Sequence, residues 1–252
     1  MDFNIDEFKI YTDKYTYLGD PVILKIDHTF RVMKLCEEIA KSLNLNDEDI
    51  ELAKLCGLLH DIGRFEQYKQ FHTFKDLKSI DHGDLGYEIL TEEDYIKKFI
   101  FNHSDENIVL NAVRFHNKLS IPNDLSERET LFLNITRDAD KIDILYLFTN
   151  GHIEIDIDDT TFSEPIMDSM RNNLVTDKKL EKTKVDKLAV SLGFVFDINY
   201  PFSMKILNEK DYINEEINHY KEKSKSEKAK EQFEEIRNII TKYMEKRVKD
   251  VR

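Results

Sequence analysis

The chain is poor in cysteine, in positive charge and in long apolar runs, and each scarcity excludes something. Cys36 and Cys56 are the only cysteines in 252 residues, and each lies inside an apolar helical pattern. They read as core thiols rather than as a disulfide framework or a zinc knuckle. Lys and Arg number 37 against 50 Asp and Glu, a formal net charge of -13. That balance argues against a general nucleic-acid or anionic-membrane surface, while leaving room for one small nucleotide in a locally positive pocket. No apolar run approaches the length of a bilayer span. The start, Met1-Asp2-Phe3-Asn4-Ile5-Asp6, has neither the basic nor the apolar region of a signal peptide. A cytoplasmic, membrane-free protein is the expectation.

What the chain does have is helical pattern. A hydrophobic content of 40% over 252 residues suits one large domain, or one domain with an appendage. The spacing predicts helices over 27–43, 47–61, 82–90, 106–118 and 128–148, with a loop of aromatic and charged residues over 64–80. Asp81 and Thr91 stand where N-caps are expected. Beyond Asn150-Gly151, Ile153, Ile155 and Ile157 alternate with acids, the pattern of one short strand or of a polar excursion. Helical texture resumes over 167–174 and 179–192, and a tail over 229–249 puts Phe233, Ile236, Ile240 and Met244 on one stripe. The predicted fold is all-α: a multi-helix core over residues 20–150 and a helical extension over 151–252, packed on the core or on a partner subunit. A homodimer is compatible with that amphipathic tail.

Chemistry concentrates on the apolar faces. His28 shares a stripe with Val32, Leu35 and Ile39, and Asp140 with Leu133, Thr136, Ile144 and Leu147. His60-Asp61 closes the apolar run from Ile50 to Leu59. An inward carboxylate needs a cation, an ion pair or several donors, so Asp140 either faces a metal or pairs with Arg137 or Lys141. His28 is by itself either a structural histidine or a ligand. Together His28, His60, Asp61 and Asp140 supply two imidazoles and two carboxylates, a set suited to a divalent ion that lowers the pKa of a bound water. His82 and His116 also lie on inward faces, so Asp61 becomes a bridge between two ions if both reach the same pocket; helix capping and a dipole-favoured position are their alternatives.

This ordered set resembles the HD-domain superfamily of metal-dependent phosphohydrolases. The resemblance covers about residues 20–150 and rests on His28, His60-Asp61 with Ile62-Gly63-Arg64-Phe65-Glu66 following, and Asp140 within Asp138-Ala139-Asp140-Lys141. It implies an HD-domain helical bundle with His28, His60, Asp61 and Asp140 as ligands of a first ion. His82 and His116 match the positions of the six-ligand subset, which resembles bacterial dinucleoside-polyphosphate hydrolases and implies a second ion. The Gly-Tyr-Pro motif of cyclic-dinucleotide phosphodiesterases is lacking, as is the Glu-Asp pair of guanosine-tetraphosphate hydrolases.

The resemblance implies one or two divalent ions (Fe, Mn, Zn, Co or Ni, with Mg a further candidate) and a small phosphorylated substrate, expected to be a nucleotide. Asp61, Arg64 and Asp81 are the candidate catalytic residues, and Arg64, Lys141, Arg114 and Lys118 the candidates for phosphate contact. Asp81 either orients a ligand or caps its helix; Arg64 either meets a phosphoryl oxygen or pairs locally. His72 is a further candidate general acid. Two other functions suit the same residues: a metal-dependent oxidase or lyase, and a non-catalytic nucleotide-binding regulatory module.

Overall fold

Short polar side chains set where several helices begin. Asn46 accepts a hydrogen bond from the Asp49 N–H, and Asp81 accepts from Gly83 and Asp84, each replacing an intrahelical partner that the first turn lacks. The computed structural model describes residues 3–100 and 103–249, and the fold is all-α. The chain divides into two units, Met1–Asp140 and Lys141–Arg252. The division falls inside a helix, ten residues ahead of the Asn150-Gly151 change in texture. Among the described residues no helix is long and apolar enough to cross a membrane.

The first unit contains α1 (Ile5–Asp13), α2 (Asp20–Ser42), α3 (Asp47–Leu59), α4 (Ile62–Phe71), α5 (His82–Thr91), α6 (Glu106–Phe115) and the start of α7 (Glu127–Thr149). Close approach at two glycines sets its core. A Cβ on Gly57 would lie 2.8 Å from Cys36 Sγ, so α3 sits directly on α2. One on Gly63 would lie 2.2 Å from the His82 carbonyl oxygen, so the start of α4 touches the start of α5. Both cysteines are free and buried.

Two expectations are corrected here. Much of the predicted loop over 64–80 is helix α4. Its inward face is only Ile62, Gly63, Phe65 and Gln67, too small an apolar signal to stand out among Lys and Gln. Thr91 does not cap a helix: its hydroxyl donates to the Tyr87 and Glu88 carbonyls behind it. The acids that follow, Glu93 and Asp94, take left-handed backbone angles within a 3-10 segment.

The second unit contains the end of α7 with α8 (Glu164–Arg171), α9 (Asp186–Leu192), α10 (Pro201–Lys210), α11 (Tyr212–Lys223) and α12 (Glu227–Lys249). The α12 stripe of Phe233, Ile236, Ile240 and Met244 is buried. The alternating isoleucines form no strand; residues 154–158 have no regular structure, and the Ile155 N–H donates to the Tyr220 hydroxyl instead. All three isoleucines are only half-buried, so the alternation lacks the apolar face that would hold a strand against a core. Among the described residues the one β-bridge joins Phe3 and Ile100.

Candidate metal centre

His60 ends α3 and Asp61 begins the turn into α4, so the doublet stands where one helix stops and the next starts. Around it come His28 from the middle of α2, His82 from the first position of α5, His116 from the residue after α6, and Asp140 from α7. His28 and His60 are fully buried, and Asp61, His82 and His116 retain at most 3% exposure. The Asp140 side chain keeps 14%, which makes it the one cluster member open toward solvent.

The two carboxylate oxygens of Asp61 face different imidazole pairs. Oδ2 lies 3.5 Å from His28 Nε2 and 3.6 Å from His60 Nε2. Oδ1 lies 3.3 Å from His82 Nε2 and 3.7 Å from His116 Nε2. Asp140 Oδ1 joins the first pair, at 3.2 Å from His28 and 3.6 Å from His60. Within the pairs, Nε2 stands 3.3 Å from Nε2 for His28 and His60, and 3.0 Å for His82 and His116. Two overlapping triads can hold an ion, His28–His60–Asp140 and His60–Asp61–His116.

These residues fit a divalent metal. The opposite ring nitrogens are already committed: His60 Nδ1 to the Gly57 carbonyl at 2.7 Å, His116 Nδ1 to the Val113 carbonyl at 2.8 Å, and His82 Nδ1 to Asp76 Oδ2 at 2.8 Å. Such partners place the proton on Nδ1 and leave Nε2 as a bare acceptor. His82 and His116 thus bring two lone pairs within 3.0 Å of each other, a repulsive contact that a cation between them turns to attraction. Separations of 3.0–3.7 Å among these donor atoms suit ligand bonds of about 2.1 Å to one ion. Nitrogen with carboxylate oxygen, and no sulfur, favours Mn, Fe, Co, Ni or Zn.

Electrostatics agree with that assignment. Burial acts to raise the Asp61 carboxyl, but the Lys25 ammonium and the neighbouring rings hold it well below the usual carboxylate range. Asp140 is likewise held low against burial, by His28 and His60. Burial, then the Arg64 charge, lowers His82 to about 3, so this ring is neutral at physiological pH. His116 is lowered too, chiefly by burial.

The other anticipated residues divide. Arg64 lies against the cluster, with Nε 3.5 Å from Asp61 Oδ1 and Nη1 donating to Gln67 and Asp76. Asp81 receives, besides its two cap bonds, the Asn117 amide at 3.1 Å and the Lys118 ammonium at 2.7 Å. Arg114 is engaged by Asp84, and Lys118 by Asp81 and Asp84. Lys141, in the second unit, pairs with Asp197 at 2.9 Å. His72 is the exposed, left-handed C-cap of α4.

Three residues had no sequence signal. Lys25 reaches Asp61 Oδ2 at 2.7 Å. Asp76 binds His82, Arg64 and Gln67 together. Arg137, weighed in the sequence only as a partner for Asp140, donates to the Phe115, His116 and Lys118 carbonyls and so fixes the end of α6 that carries His116.

Residues 26–145 match the family model described as HD domain. That segment contains all six residues of the cluster, and the match supports the HD-domain resemblance. Ribonuclease Y of Mycoplasmoides gallisepticum (strain R(low / passage 15 / clone 2)) is 27% identical over 209 residues, 70% of this chain and 35% of its own length. The chain thus spans about a third of that relative. No solved structure matches significantly.

Proposed function

We propose that the chain is a metal-dependent phosphohydrolase acting on a phosphoester or phosphoanhydride bond of a small nucleotide or related phosphate compound. The observation that carries this reading is Asp61, whose two oxygens each face a separate pair of imidazole nitrogens. HD domains are in general metal-dependent phosphohydrolases, and the family match covers the whole cluster.

Divalent ions held there would supply Lewis acidity toward phosphoryl oxygens and make water a nucleophile near neutral pH. His28, His60 and Asp140 would hold one, His82 and His116 the other, with Asp61 shared. Asp76 keeps the His82 proton on Nδ1. Gln67, Asp76 and the Phe74 carbonyl fix the Arg64 guanidinium beside Asp61, a preorganised positive charge for a phosphoryl oxygen. Asp81 keeps α5, and thus His82, in place through its cap bonds. Burial lowers both His82 and His116, which disfavours either ring as the acid for the leaving group.

The name of the Mycoplasmoides relative denotes a nuclease. A net charge of -13 weighs against an extended RNA track on this chain and in favour of a substrate that fits the site alone. The test is a panel of dinucleoside polyphosphates, mononucleotides, cyclic dinucleotides and short RNA, offered to manganese-loaded wild type and to Asp61→Ala. Cleavage of a small nucleotide by wild type alone is expected. Metal-loaded protein that hydrolyses none of these overturns the hydrolase reading, and cleavage of RNA alone transfers it to a nuclease.

A further inference from the structure

Lys25 lies three residues before His28, so one turn of α2 delivers both a ligand and an ammonium to the same carboxylate. Its Nζ sits 2.7 Å from Asp61 Oδ2, the oxygen that faces His28 and His60. Lys25 is the first contributor to keeping this buried carboxylate charged, ahead of the surrounding rings. The ammonium is in contact at 2.7 Å, whereas Arg64 Nε is 3.5 Å away and is a buried nitrogen without a hydrogen bond.

The surroundings give Lys25 a second place to go. Its side chain is 17% exposed, so it sits at the rim of the cluster rather than inside it. The half-buried Phe74 ring lies beneath both cations, 5.7 Å from Lys25 Nζ and 6.0 Å from Arg64 Cζ. Tyr68 stacks on that ring at 4.7 Å. Two cations thus flank one aromatic platform next to the candidate metal centre. A flexible four-carbon stem can move an ammonium several ångströms, whereas Arg64 is tied by three acceptors.

Charge balance then supplies direction. Without ions, the three carboxylates of Asp61, Asp76 and Asp140 exceed the two cations, Lys25 and Arg64, by one charge. Each divalent ion adds two positive charges and takes over the compensation of Asp61. An ammonium left on Asp61 is then surplus, and the loaded site as a whole favours an anion. We propose that Lys25 is a substrate-binding residue, a stand-in cation on Asp61 that metal loading releases to bind a phosphoryl anion together with Arg64 across Phe74. This rests on the phosphohydrolase reading above.

The experiment titrates orthophosphate calorimetrically into manganese-loaded wild type, Lys25→Met and Lys25→Arg, with metal content measured on the same samples. Lys25→Met is expected to keep its manganese and bind orthophosphate at least tenfold more weakly, while Lys25→Arg stays within about threefold of wild type. With a cleaved substrate in hand, the loss falls on KM rather than kcat. Lys25→Gln repeats the measurement if the Met variant does not fold. Unchanged orthophosphate affinity in Lys25→Met, or loss of its manganese, overturns the assignment; if wild type still hydrolyses its substrate, the hydrolase reading stands. A manganese-loaded wild type that binds no orthophosphate overturns both.

Discussion

The two units bury polar groups in opposite ways. In the second unit, Asp186 is fully buried, and its carboxylate accepts the backbone N–H groups of Ser163, Lys182 and Thr183 at 2.8–3.0 Å. Gln232 closes both backbone groups of Phe162. Such groups are satisfied by the chain and hold loops in place. In the first unit, His82 and His116 meet acceptor against acceptor beside Asp61, and added positive charge completes them. A buried polar side chain that is already satisfied serves architecture, whereas a converging set with bare lone pairs serves a ligand.

Three interventions break that comparison at different points. The largest effect is expected from removing metal. Chelation should destabilise metal-loaded protein by about 4 kcal/mol where free metal had stood a thousandfold above its Kd. Hydrogen exchange should then quicken in α2, α5 and α6 and stay unchanged in α8 to α12; uniform loosening would deny the contrast. Asp186→Ala reverses the pattern. It orphans three backbone donors and is expected to cost about 3 kcal/mol in denaturant titration, with metal content per chain unchanged.

The smallest effect concerns Glu216, a buried carboxyl of the second unit with one oxygen left without a hydrogen bond. It is buried, with Ser191 Oγ 2.8 Å away, and burial pushes its carboxyl from the ordinary 4.5 up to about 8. Between those values the folded chain keeps a proton that the unfolded chain releases, so stability falls as pH rises through that window and levels above about 8. Glu216→Gln should flatten the decline, gaining about 2 kcal/mol over wild type between roughly pH 6 and pH 7.5. Parallel pH profiles for the two proteins would show that Glu216 is not the cause.

Helices that bury a regular stripe were legible in the sequence: α3, α7 and α12 lie close to their expected spans, while α2 begins at Asp20, ahead of its expected start at Asp27. The six residues of the cluster were legible because a polar group on an apolar stripe has to turn inward; five are buried and Asp140 is half-buried. Helix α4 was hidden because only Ile62, Gly63, Phe65 and Gln67 face inward, an apolar signal lost among Lys and Gln. Lys25 and Asp76 were hidden because nothing in their local sequence marks the partners they reach. Lys25 meets Asp61 across 36 positions, and Asp76 reaches His82 from a 3-10 turn whose sequence looks like any charged surface loop. Local periodicity shows which side chains face inward and is silent about what waits there.

The most direct test of the shared carboxylate is metal stoichiometry in wild type and Asp61→Ala, measured by elemental analysis after loading with manganese and removal of excess. The geometry around Asp61 predicts about two ions per wild-type chain and almost none in the variant, because one side chain faces both imidazole pairs. Equal metal content in the two proteins would contradict it.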